Sequence, residues 1–117
     1  MSKPKVLLTR RWPEAVEKAM ASSFNVTLNN NDKAITAAEL EQALHDYDAI
    51  CPSVTNSMPE SMFKAESFKT RIIGNYGVGY NHLAVDGAKS RGIIVTNTPD
   101  VLTDATADLA MTLLLML

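Results

Sequence analysis

The sequence predicts an α/β fold: a five-stranded parallel sheet with helices on both faces. Three observations carry this. Short apolar runs alternate with amphipathic stretches in the order β-α-β-α-β-(α)-β-α-β-α, which is the signature of crossover connections. Val6-Leu7-Leu8, Ile72-Ile73 and Ile93-Ile94-Val95 are unbroken apolar runs, as strands covered on both faces require. The chain has 117 residues, which fits one domain that buries roughly two-thirds of its unfolded surface without staples.

The elements follow in order. Val6, Leu7 and Leu8 are too few for a helix and read as the first strand. Pro13 suits a first helical turn. Ala15, Val16, Ala19 and Met20 then recur at helical spacing between Glu14, Glu17 and Lys18. Residues 24–28 (FNVTL) alternate as a half-buried strand does, and residues 29–32 form a polar turn. Thr36 with Glu39 predicts a capping box ahead of the Leu40, Ala43, Leu44 stripe. Residues 47–51 form a third strand, stopped by Pro52. Residues 53–59 are a polar loop, and residues 59–65 hold one or two helical turns. Residues 71–75 form a fourth strand, broken by Gly77-Val78-Gly79. A helix over 82–90 is closed by Gly92 at the C′ position, and residues 93–96 form the fifth strand. Thr103 and Asp104 suit the start of a last helix. That helix is apolar nearly all round, so it is expected to be long and buried, and its apolar ending predicts a chain cut from a longer parent.

Composition excludes several classes. A net charge of −2 gives no electrostatic reason for nucleic acid or an anionic membrane. The single cysteine, Cys51, excludes a disulfide framework and a multi-cysteine zinc site. No apolar run approaches the ~20 residues of a membrane span, and residues 1–12 are basic without an apolar stretch of signal-peptide length. The expectation is a soluble, cytoplasmic protein.

Ligands of open parallel sheets sit beyond the carboxyl ends of the strands. There, Gly77-Val78-Gly79 is the most suggestive segment. Its free amides, backed by a helix N-terminus, would make a site for a small carboxylate. The alternative is a tight turn without a ligand. A dinucleotide fingerprint fails: Gly77-Val78-Gly79-Tyr80-Asn81-His82 lacks the third glycine, and the next strand ends in Thr96-Asn97 without an acidic residue. A phosphoacceptor site fails too, because Thr9-Arg10-Arg11 and Cys51-Pro52-Ser53 stand where acidic residues would be needed. His45 reads as a surface residue, His82 as structural, Cys51 as core, and Arg10 and Arg11 as a solvated pair. No metal site and no catalytic residue is predicted.

The stretch GNYGVGYNHLAVDGAKSRGIIVTNTPDVLTDATADLAMTLLL, with KPKVLLTR near the start and the Asp48-Ala49-Ile50 strand, resembles the D-isomer-specific 2-hydroxyacid dehydrogenases, in particular their glyoxylate/hydroxypyruvate reductase branch. The GVGYNHLAVD loop, the TNTPDVLTD segment and ATADLA are specific in combination. The resemblance implies a flavodoxin-like substrate-binding domain over 1–100. Residues 101–117 would begin the interdomain crossover helix, and the Rossmann domain would lie outside this chain. It implies that Val78 and Gly79 amides hold the substrate carboxylate, that Gly77 shapes the turn, that Ser53 and Val54 line the pocket, and that Thr106 contacts the cofactor. The family's catalytic Arg, Glu and His map to no residue here. NAD or NADP is implied for the intact enzyme, with none bound tightly by this chain, which is expected to be inactive alone. The expected ligand is a small 2-oxo or 2-hydroxy acid. The apolar last helix predicts a homodimer, by pairing or by domain swapping. The competing reading is a stand-alone binding or dimerisation module without activity.

Overall fold

A computed structural model describes residues 3–99, 111 and 113–116. Five strands form one sheet: β1 (Lys5–Leu8), β2 (Asn25–Thr27), β3 (Ala49–Cys51), β4 (Ile72–Gly74) and β5 (Ile94–Thr96). All neighbours are parallel, in the order β2-β1-β3-β4-β5. This is the flavodoxin-like order, with its reversal between β1 and β3. The helices are α1 (Glu14–Ser23), α2 (Ala37–Asp46) and α3 (Val85–Ser90), with a 3-10 turn at Glu60–Phe63.

Side-chain alternation along the strands divides the core in two. Leu7, Ile50 and Ile73 face α2, α3 and the 3-10 turn, and pack with Leu40, Leu44, Met58, Phe63 and Ala88. Val6, Leu8 and Cys51 face the other way, against Trp12, Met20 and Phe24 around α1. Among the described residues the second face is only half covered. Ile72 and Ile94, paired across β4 and β5, are 43% and 61% exposed. The expectation that these strands are buried on both sides therefore holds for β1 and fails for β4 and β5. The reason is that α1 reaches only the β1–β3 side, while α3 packs on the first face. Trp12 stacks at a tilt on Tyr76 beside this open face, at 4.9 Å between centroids. Its indole N–H is buried without a partner among the described residues.

Local signals explain most boundaries. Thr36 Oγ1 accepts from the Glu39 N–H at 3.2 Å and caps α2. Only this half of the capping box is present among the described residues. Gly92 closes α3 with φ +75°, a conformation that glycine adopts without strain. The helix expected over 82–90 starts three residues late. Met58 takes that segment into backbone pairing: its N–H donates to the His82 carbonyl (2.8 Å), and its carbonyl accepts from Ala84 (2.9 Å).

Most of the long apolar helix expected after Thr103 lies outside the described residues. Residues 111 and 113–115 are helical, and no long apolar helix occurs among the described residues. Met111, Leu113, Leu114, Leu115 and Met116 are 57–81% exposed, not buried. No helix of the described residues is long and apolar enough to cross a membrane.

Candidate functional site

The reversal point between β1 and β3 is where such sheets usually open to a ligand. Here a buried polar cluster fills it. Asn56 Oδ1 accepts from Thr9 Oγ1 at 2.6 Å and from the Ser53 N–H at 2.9 Å. All three residues are buried. Ser53 Oγ pairs with Thr55 Oγ1 at 2.7 Å. The loop after β3 is thus tied to its own polar atoms, and Val54 is left at its tip, 63% exposed.

The loop after β4 lies directly beside it. Tyr76 N–H donates to the Pro52 carbonyl (2.8 Å), and Ser53 bridges Tyr76 in parallel register. A Cβ on Gly77 would stand 3.4 Å from Val54 Cγ1. The structure therefore brings Ser53, Val54, Gly77, Val78 and Gly79 into one neighbourhood at the carboxyl edge of the sheet. Thr106 lies outside the described residues.

The polar atoms of the Gly77-Val78-Gly79 loop are paired on one side only. The Gly77 carbonyl accepts from the Thr98 N–H (3.0 Å) and from Asn75 Nδ2 (3.3 Å). The Val78 carbonyl accepts from Asn97 Nδ2 at 2.9 Å. The Gly79 carbonyl accepts from Asn75 Nδ2 at 2.8 Å. The Gly77 N–H is used by the Asn75 carbonyl (3.0 Å). The N–H groups of Val78 and Gly79 have no protein acceptor among the described residues. Two adjacent main-chain donors left open at a sheet edge can take the two oxygens of a carboxylate.

The Gly77-Val78-Gly79 loop departs from the helix-backed anion site expected of it. No helix terminus stands behind this loop, because α3 begins only at Val85. Neither loop glycine has a positive φ. The donors are open because the carbonyls are held, not because a helix dipole or a left-handed turn presents them. Asn75 and Asn97 were not singled out by sequence reasoning. The available signal was an asparagine at the carboxyl end of each of two adjacent strands.

The other candidates are occupied elsewhere. Arg10 grips Asp32 with two bonds, at 2.7 and 2.9 Å, and this guanidinium holds the Asp32 carboxyl well below the usual range. Arg11 pairs with Glu17 at 3.0 Å. The Trp12 N–H, with Arg11, lowers the Glu17 carboxyl. Both arginines are solvent-accessible, as expected, and each is in addition ion-paired with a carboxylate. Burial pushes the Cys51 thiol up to about 11, so it is a core group and no nucleophile at neutral pH. Burial lowers His82, whose Nε2 lies 2.8 Å from Asn75 Oδ1. His45 is exposed on α2 and stacks on Phe68. No group of metal-ligating side chains occurs among the described residues.

Residues 6–112 match the family model "D-isomer specific 2-hydroxyacid dehydrogenase, catalytic domain". The glyoxylate reductase of Pyrococcus horikoshii is 42% identical over 113 residues, covering 97% of this chain and 34% of that protein. A 2-hydroxyacid dehydrogenase structure from Ketogulonicigenium vulgare is similar at 30% identity and a TM-score of 0.72, covering 98% of this chain and 36% of the other. An NADPH-dependent glyoxylate/hydroxypyruvate reductase from Sinorhizobium meliloti, solved in complex with NADP and malonate, is similar at 33% identity and a TM-score of 0.69, over 97% and 34% of the two chains. The chain thus spans about a third of the length of the relatives it matches. With this sheet order and this match along nearly all its residues, the chain belongs to the D-isomer specific 2-hydroxyacid dehydrogenase family and carries the part described as the catalytic domain.

Proposed function

We propose that this chain holds the carboxylate of a small 2-oxo or 2-hydroxy acid on the N–H groups of Val78 and Gly79. It would do so as the substrate-binding domain of an NAD(P)-dependent reductase acting on glyoxylate or hydroxypyruvate. The observation that carries this is the pair of adjacent donors without an acceptor among the described residues, in a loop whose carbonyls are all engaged. Ser53 and Val54 stand beside it as a pocket wall, with Val54 Cγ1 3.4 Å from where a Cβ on Gly77 would lie. The identity with glyoxylate reductases supports the substrate class. The malonate in the Sinorhizobium meliloti structure is itself a small carboxylate.

The residues present do not fit a dinucleotide. The loop after β4 has two glycines where a pyrophosphate cradle needs three, and β5 ends in Thr96-Asn97 with no carboxylate for a ribose. The cofactor is therefore assigned to the part of a full-length protein beyond this chain. In that arrangement residues 1–100 form the substrate-binding domain and 101–117 enter the crossover helix, with Thr106 facing the nicotinamide. This chain's contribution is to bind and orient the acid. Of the groups weighed for chemistry, Arg10 and Arg11 are ion-paired, His82 Nε2 is bonded to Asn75, and Cys51 is protonated at neutral pH.

An amide NMR titration with hydroxypyruvate and then oxalate tests the reading. The Gly77, Val78 and Gly79 amides and those of residues 53–54 are expected to shift, with no NADPH turnover by the chain alone. A folded spectrum unmoved at saturating ligand would overturn it.

The exposure of Met111, Leu113, Leu114, Leu115 and Met116 favours a homodimer joined or swapped through this helix. Light scattering is expected to give twice the chain mass of 12.7 kDa. The chain mass alone at every concentration would rule the dimer out.

A further inference from the structure

Resting on the reading that Val78 and Gly79 hold a carboxylate, we propose that Asn75 and Asn97 are the positioning residues of that site, and that His82 fixes which way Asn75 faces. The C=O and N–H of a trans peptide point to opposite sides. The Val78 N–H is therefore aimed by the Gly77 carbonyl, and the Gly79 N–H by the Val78 carbonyl. Asn75 Nδ2, with the Thr98 N–H, holds the first of these carbonyls. Asn97 Nδ2 holds the second at 2.9 Å. Asn75 Nδ2 also takes the Gly79 carbonyl at 2.8 Å. Two carboxamides from the ends of β4 and β5 thus turn every loop carbonyl toward the protein and leave the neighbouring N–H groups facing the other way. Among the described residues the loop pairs all three of its carbonyls and leaves the Val78 and Gly79 N–H groups without a protein acceptor.

A carboxamide can swap its oxygen and nitrogen by a half-turn, so its function depends on something that recognises the oxygen. His82 does this. With Nδ2 committed to two carbonyls, Oδ1 is the atom that faces His82 Nε2 at 2.8 Å. Nε2 must then carry the hydrogen, which makes His82 the Nε2–H tautomer with Nδ1 unprotonated. Asn75 is 2% exposed, so a flipped amide would set its oxygen against two carbonyl oxygens with no water to intervene.

The test compares wild type with Asn97→Ala and Asn75→Ala by oxalate titration, following the Val78 and Gly79 amides, with melting temperatures recorded alongside. Asn97 is half-buried and its variant is expected to fold. Its dissociation constant for oxalate should rise about tenfold, the loss of one hydrogen bond's orienting effect, with the melting temperature little changed. The Gly79 amide should lose the most response. Wild-type His82 should show the ¹⁵N signature of an Nε2–H imidazole. If wild-type amides do not move, the carboxylate reading falls and this proposal with it. If wild type binds and Asn97→Ala binds equally well, the positioning proposal alone falls. An Nδ1–H tautomer would remove His82 from it. Should Asn75→Ala fail to fold, Asn97→Ala and the tautomer still decide.

Discussion

Asn56→Ala is expected to destabilise the domain by about 2–4 kcal/mol, the cost of leaving buried donors without an acceptor. The carboxamide is 4% exposed and its oxygen serves two donors from different segments, the Thr9 hydroxyl and the Ser53 N–H. Truncation strands both. Thr9 Oγ1 can fall back on the Cys51 carbonyl at 3.3 Å, so most of the penalty comes from the Ser53 N–H. For a domain of this size the melting temperature should drop by roughly 10 °C. Thr9→Val is the comparison. It removes one donor, leaves the oxygen bonded to Ser53, and should cost only about 1 kcal/mol. Chemical denaturation of both variants checks the order, and an Asn56→Ala no less stable than Thr9→Val would show that the cluster does not hold the loop. The effect bears on function because this cluster closes the usual ligand position between β1 and β3, and sets the Ser53-Val54 segment against the next loop.

The second large effect is on binding and not on stability. Gly79→Val should leave the fold intact and weaken oxalate binding tenfold or more, about 1.4 kcal/mol. A Cβ at Gly79 would meet no atom within 4 Å, and its φ is outside the left-handed region. Nothing inside the chain requires glycine there. Replacing it at a compatible backbone should be neutral, or stabilising by about 0.4–1 kcal/mol through the unfolded state. A branched side chain would, however, crowd the N–H of its own residue and that of Val78 before it, where the ligand must approach. Equal melting temperature with lost binding is the expected pair of results. Unchanged oxalate affinity would mean that the acid does not sit on these amides.

These two sites differ in how legible they were. The glycine loop was visible because two glycines after an apolar run are unusual at the end of a strand. The Asn56 cluster was not, because Asn56 in a Ser-Thr-Asn loop reads as a polar turn. Its burial depends on Thr9, 47 residues away in sequence. The start of α3 was misjudged for a similar reason. Leu83 and Ala84 are apolar, and Ala84 stands four residues before Ala88, but Met58 claims their backbone for a bridge. Asn75 and Asn97 offer only their place at the carboxyl ends of two adjacent strands as a local signal. Their contacts cross from one strand end to a loop and from a neighbouring strand to the same loop.

By itself, the sequence determined the sequence of elements, the parallel α/β class and the family. Apolar runs, helical spacing and the Thr36 cap act within a few residues, and their physics does not wait for the rest of the chain. Only the tertiary structure decided the strand order, the half-covered face at Ile72 and Ile94, the ion pairs of Arg10 and Arg11, and which carbonyls of the loop are held. Most of these join segments far apart in the chain, and the short-range ones, Arg11 with Glu17 and Asn75 with the Gly77 and Gly79 carbonyls, depend on loop geometry that no local spacing encodes. A residue's type limits what partner it can take, but only the folded neighbourhood supplies one.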